Sequence, residues 1–356
     1  MTSLAPRFIS FLPCEENPVS QRSLSAVTLA LVSLALLGVI FPQQAQSLVL
    51  KVFPSGDRPD IDVDGNPAPS SDELAKYLNL LSINKRLRNT GFESLERDWQ
   101  PTDHAMLLQV LEFISHQNRQ ERAYALMRKK SGQDLPARLD DWYGWLWQAR
   151  PAVDPRLRTL KCRMYGQYAP EFVDYFDDDV PASIAYDEIR FARLLPGHIR
   201  VLREPQWIAP ADAKYLADSD VIYAIQVGDE TRAYPRKVIS RYHVSTDTIG
   251  GEPYLCVYDG REETLTCFKT TCGGVAHRLT ASCFMHRSAI LLCDAQTKSL
   301  WSVESGQPVI GPLVGKGLQL ERIPVETGTW ADWRMRHQPA KVLADSHPEA
   351  IQGDDD

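Results

Sequence analysis

Several familiar catalytic signatures are missing from this sequence. It contains no G-x-S-x-G, no glycine-rich phosphate loop and no H-E-x-x-H, so standard hydrolase and nucleotide-binding readings have no support. No two cysteines stand at the two-residue spacing of common redox and zinc motifs. Cys267 and Cys272 are separated by four residues, which favours a structural role over a thiol oxidoreductase built on that pair. Basic charge is also short. The 39 Lys and Arg are outnumbered by 46 Asp and Glu, for a net charge of -7. No basic surface is available to track a phosphate backbone, and no nucleic-acid partner is expected.

What the chain does have is a long apolar run near its start. Residues 24–41, LSAVTLALVSLALLGVIF, carry no charge and are long enough for a short spanning helix or the apolar part of a signal peptide. Arg7 and Arg22 precede the run, and Asp57, Asp60, Asp62, Asp64 and Asp72 follow it. That bias places residues 1–23 in the cytoplasm and the bulk of the chain in the periplasm or cell exterior. Ala45-Gln46-Ser47 puts small residues at the two positions a signal peptidase reads, so cleavage after Ser47 and retention as a membrane anchor both fit.

Residues 54–72, PSGDRPDIDVDGNPAPSSD, are too polar to order themselves and read as a linker. A helical region is expected over 73–180. Ser71 or Asp72 caps a first helix near Glu73, and a single helix runs from about Thr102 to Lys130 on the stripe Met106, Leu107, Val110, Leu111, Ile114, Tyr124 and Leu126. The tryptophans of Asp140 to Trp147 serve as core. From 182 to 345 the texture changes to short β-branched runs with turn residues between them. Asp220–Tyr234 and Tyr254–Phe268 read as hairpins, with further strands near 279–282, 289–292, 300–303, 309–314 and 318–323. Short helices are expected near Pro235–Arg241 and Thr329–His337, and 346–356 reads as a disordered acidic tail. The fold class is α+β: a small N-terminal helical unit followed by a β-rich mixed domain with mostly antiparallel strands.

An ordered series of segments sharpens this reading. They are Tyr186-Asp-Glu-Ile-Arg190, Thr231-Arg-Ala-Tyr-Pro235, Asp247-Thr-Ile-Gly-Gly251, Arg287-Ser288, Lys298-Ser-Leu-Trp-Ser302, Gly311-Pro-Leu-Val-Gly315 and Thr329-Trp-Ala-Asp-Trp333. With the Asp141-Trp142 segment ahead of them, they resemble the bacterial and archaeal domain-of-unknown-function family 3179 over about Arg128 to Leu343. The resemblance implies a reactive centre that this chain lacks. Relatives carry a Y-C-x-L-C-G-T motif after the D-T-x-G-G segment, and two thiols at that spacing can exchange with a disulfide or share a soft metal. In ungapped register the two cysteine positions are Asp259 and Glu262. Relatives also tend to read W-H-E where this chain reads Arg241-Tyr242-His243, so the histidine position holds Tyr242 and His243 falls on the opposite strand face. Both parts of the implied site are altered.

Those substitutions leave two readings of function. The first is a noncatalytic binding module for a small molecule or a protein, with Tyr242, Arg287 and Ser288 as candidate contacts. The second is an enzyme with replaced chemistry, in which Asp259, Glu262 and His243 form an acid and base pair or hold a hard divalent cation. The carboxylates at 259, 262 and 263 also suit an ordinary polar turn, and no other cofactor or metal is indicated. Arg287 reads either as a buried arginine on backbone carbonyls or as an anion contact. Outside the cytoplasm the six cysteines beyond Cys14 favour cross-links, with Cys256, Cys267, Cys272, Cys283 and Cys293 as candidates; buried reduced thiols are the alternative. If the second hairpin turns at 260–263, Cys256 and Cys267 face each other. They can be bridged only as the closer, non-hydrogen-bonded type of pair.

Overall fold

The computed structural model describes residues 72–192, 199–337, 340–345 and the backbone of 350–351. The apolar run 24–41, the cleavage motif after it and the linker up to residue 71 lie outside the described residues. Among the described residues no helix is long and apolar enough to cross a membrane.

The helical region opens on α1 (Ala75–Leu78), with the Leu74 amide donating to the Asp72 carboxylate at 3.0 Å. Then come α2 (Lys85–Arg97), whose Asn84 cap accepts from the Arg86 amide, α3 (Asp103–Leu111) and α4 (Gln117–Ser131). The single helix expected over 102–130 is therefore two. Phe113 and Ile114 close α3 with tighter i→i+3 bonds, and His116 is extended (φ -84°, ψ 121°) before the chain restarts. Apolar spacing did not register this break because Ile114, Tyr124 and Leu126 are buried on either side of it. α5 (Leu139–Ala149) and α6 (Leu157–Tyr165) complete the region, and Trp142 of α5 is fully buried.

The strands form three main sheets. β1 (Ile189–Phe191), β2 (Arg200–Leu202), β3 (Trp207–Ile208), β4 (Val221–Val227) and β5 (Glu230–Pro235) precede the short helix α7 (Arg236–Ile239). β6 (Val244–Ile249), β7 (Glu252–Asp259), β8 (Thr264–Lys269), β9 (Thr271–Cys272), β10 (Val275–Ala276), β11 (Leu279–His286) and β12 (Ala289–Asp294) follow. The chain continues through β13 (Ser299–Ser302), β14 (Pro308–Ile310), β15 (Glu321–Ile323), β16 (Val325–Thr329), α8 (Trp330–Arg336), β17 (Ala340–Leu343) and β18 (Ala350–Ile351). The first sheet has the order β1-β11-β12-β13-β14, the second β15-β8-β7-β6-β2-β18, and the third β16-β4-β5-β17-β3. Most pairings are antiparallel; β17 with β5 and β2 with β6 are parallel. The α+β class holds, with helices in the N-terminal part and a β-rich C-terminal region. The reading of 346–356 as a disordered tail needs amendment at Ala350–Ile351, whose backbone pairs with Val201 and Arg200. The strand expected over 309–314 ends at Ile310, because Gly311 turns at φ 104°.

Period-two alternation explains the layering. On one face of the second sheet, Val244, Leu255, Val257 and Phe268 join the core made by the helices and the first sheet. On its other face, Tyr254, Cys256, Leu265 and Cys267 meet Tyr223, Ile225 and Tyr234 of the third sheet. The far face of the third sheet carries Ile222, Ala224 and Ala233 against Trp330 and Trp333 of α8. The second sheet is thus buried on both sides, and the helices share one continuous core with the first sheet.

Candidate functional site

The second and third sheets form a sandwich with two open ends, and each end is built by turns. At one end the β4–β5 hairpin turns on Gly228–Asp229, with Gly228 at φ 56°. The β6–β7 hairpin turns on Gly250–Gly251, at φ 61° and 85°. Positive φ at these positions matches the twist of tight hairpins, which is why glycine occupies them. At the opposite end lie the β7–β8 turn, residues 260–263, and the start of α7.

The second of these ends holds Asp259 and Glu262, the positions where the resemblance implies thiols. Asp259 Oδ1 accepts the amides of Arg261 (2.8 Å) and Glu262 (3.2 Å), so the carboxylate closes its own turn. Glu262 is exposed. Glu263, at φ 50°, accepts from Arg236 at 2.5 Å, and its carbonyl accepts the Tyr223 hydroxyl. Tyr242, in the histidine position, is buried at the same end of the sheet, and His243 follows it. The Arg200 amide donates to His243 Nδ1 at 3.0 Å, while the Tyr258 amide donates to the His243 carbonyl. Burial, with the Arg200 charge second, pushes the imidazole pKa down. Protonating Nδ1 would also break the Arg200 bond, so this nitrogen is committed as an acceptor. Among the described residues no three His, Cys, Asp or Glu side chains gather where a metal could sit. A small cavity of about 260 Å³ remains beside the turn, walled by the ion pairs Arg236–Glu263 and Lys237–Asp220, with Tyr258 and Ser240.

Cys256 and Cys267 are direct partners on β7 and β8 and form a disulfide, with Cα atoms 4.2 Å apart. That separation is the close, non-hydrogen-bonded type. Replacing both by alanine is expected to lower unfolding free energy by about 2–4 kcal/mol in urea melts. Blocking thiols without reductant should recover the two cysteines as one cross-linked species, and finding both alkylated would contradict the bond. Cys272 and Cys283 are reduced. Burial, with Cys293 as a lesser influence, pushes the Cys283 thiol up to about 12.

Several of the segments that carry the resemblance are tied to one another. Arg232 pairs with Asp247 and, at 2.8 Å, with Glu230, and its guanidinium lies 4.7 Å from the Trp207 ring centroid. Arg287 sits in the β11–β12 turn at φ 54° and donates to Glu188 at 2.5 Å, so the anion it meets belongs to its own chain. It is half-exposed rather than a buried arginine on carbonyls, and Ser288 beside it is exposed. Thr329 caps α8 by accepting from the Asp332 amide. His286 meets Glu188 at 3.0 Å, and His277 meets the buried Asp294 at 2.9 Å.

One cluster was not anticipated. Lys161 of α6, fully buried, donates to Gln109 Oε1, to the Ile189 carbonyl (2.6 Å) and to the Tyr165 hydroxyl (3.2 Å). Glu112 accepts from Tyr143 (2.8 Å) and the Phe191 amide (3.1 Å), with Arg190 Nε at 3.5 Å. Burial drives the lysine down to about 7 and the glutamate above its usual range. Only Gln109 and Glu112 inside an otherwise apolar stripe hinted at it.

A helical unit sharing its core with stacked, mainly antiparallel sheets defines an α+β protein. Residues 197–351 match the family model described as "Protein of unknown function (DUF3179)", and this region is a domain of that family. No curated protein and no solved structure matches the chain.

Proposed function

We propose that this is an extracytoplasmic, noncatalytic binding module of its family, held at a membrane by residues 24–41 or released after Ser47. The observation that carries the reading is the use of the Asp259 carboxylate as the cap of its own turn, at the position where the resemblance implies a reactive thiol. The position where the resemblance implies a histidine is filled by a buried tyrosine at the same end of the sheet, so both parts of the implied site differ. The Cys256–Cys267 bond suits an oxidising compartment. The ligand is a small molecule or a protein surface, and nucleic acid is disfavoured by the net charge of -7.

If Asp259 is structural, Asp259→Ala costs about 1 kcal/mol of stability through lost turn bonds, while Glu262→Ala leaves the urea midpoint unchanged. Calorimetric titration of the parent with manganese or calcium should give only dilution heat. A saturable heat that Asp259→Ala abolishes would overturn the reading in favour of a carboxylate metal site.

A further inference from the structure

A second cavity lies at the end of the sandwich opposite Asp259 and Glu262. It is a groove of about 640 Å³ between the β4–β5 and β6–β7 turns, within the ~300–1,000 Å³ range of small-molecule sites. Its walls combine Val227, Ile249, Ala340 and the Tyr254 ring with carboxylates at the rim. Thr231 and Ile249-Gly250 line it, and the buried Arg232–Asp247 pair ties β5 to β6 beside it.

We infer that this groove is a binding site for a small organic cation: an amine or guanidinium on an apolar body. The lining carries Asp229, Glu230 and Glu252 against Lys341, with Arg232 and Lys269 reaching Glu230 and Glu252 from outside it. Lys341 and Arg232 both engage Glu230, each at 2.8 Å, while Glu252 meets Lys269 at 3.3 Å and accepts the Thr271 hydroxyl at 3.0 Å. Among the described residues Asp229 has no cationic partner, and it stands at the tip of the turn. The rim therefore holds one uncompensated carboxylate over an apolar floor. An anion would meet the uncompensated Asp229 carboxylate, and a neutral apolar molecule would leave that carboxylate without a partner. A protonated amine fits both parts, its charge at Asp229 and Glu252 and its body against Tyr254 and Ile249.

The test is calorimetric titration of the intact protein with three matched probes, 4-phenylbutylamine, 4-phenylbutanol and 4-phenylbutyrate. The amine should bind about tenfold tighter than the alcohol, the carboxylate should bind weakest, and Asp229→Asn with Glu252→Gln should erase the preference for the amine. Far-ultraviolet dichroism of that double variant should match the parent, because both side chains are at the surface. Equal binding of all three probes, no binding of the amine, or undiminished amine binding by the folded double variant would each overturn the inference. The inference rests on the binding-module reading, and the two fail differently. Chemical conversion of the amine, seen by proton NMR, defeats the noncatalytic reading while leaving the ligand class intact; charge-blind binding defeats the ligand class alone.

Discussion

Lys161→Ala should lower the unfolding free energy by about 3–5 kcal/mol, the usual cost of removing one member of a buried charged set. The substitution leaves the Ile189 carbonyl and Gln109 Oε1 without their donor, and Glu112 loses the cation that most offsets its burial. The contacts run from α6 and α3 to β1, so the loss should separate the helical region from the first sheet. Urea melts followed by tryptophan fluorescence measure this, and a change below about 1 kcal/mol would show that the cluster is relaxed or hydrated. A pH signature accompanies it. The folded-state pKa of Lys161 is depressed to about 7, whereas the unfolded lysine titrates near 10.5. Between those values the unfolded chain binds one more proton, so this contribution to stability rises with pH, by at most about 1.4 kcal/mol per unit. Across pH 7.5–9.5, a window set by these two values, the parent should gain stability relative to Lys161→Met. Parallel curves would remove the buried lysine as the cause.

Gly311→Ala is expected to cost about 4 kcal/mol, combining backbone strain with overpacking. The residue sits at φ 104°, a conformation L side chains rarely adopt. An added Cβ would lie 2.8 Å from the Ser299 Cα and closer still to the Lys298 carbonyl. Both are backbone atoms of the β13 entry, so relief requires moving a strand whose Leu300 and Trp301 are fully buried. The Gly311 amide also donates to the Pro181 carbonyl at 2.8 Å, which joins the end of β14 to the segment entering β1. Thermal melts of the purified variant test this, and a parent-like transition would mean that the turn has room to adjust.

Most of the β architecture was legible because hairpins announce themselves locally. Gly228-Asp229 and Gly250-Gly251 mark turns by the φ they require, and alternation on β7 and β8 set Cys256 opposite Cys267. The break between α3 and α4 was not legible, since both helices present apolar residues to one core and spacing is blind to a tight turn between them. The parallel pairing of β17 with β5 joins residues far apart in sequence and leaves no local signal. At the site, residue identity exposed the missing thiols, but not that Asp259 would cap its own turn or that His243 Nδ1 would accept an amide. The larger groove went unnoticed because it is assembled from two hairpin turns and β17, none of which carries a chemical motif.

The proposed function turns on whether this chain lacks the thiol chemistry that the resemblance implies. The most direct measurement compares thiol–disulfide exchange and zinc uptake by the parent with those of the variant Asp259→Cys, Glu262→Cys. The account predicts no exchange and no stoichiometric zinc in the parent, with one or both appearing in the variant; activity in the parent equal to that of the variant would contradict it.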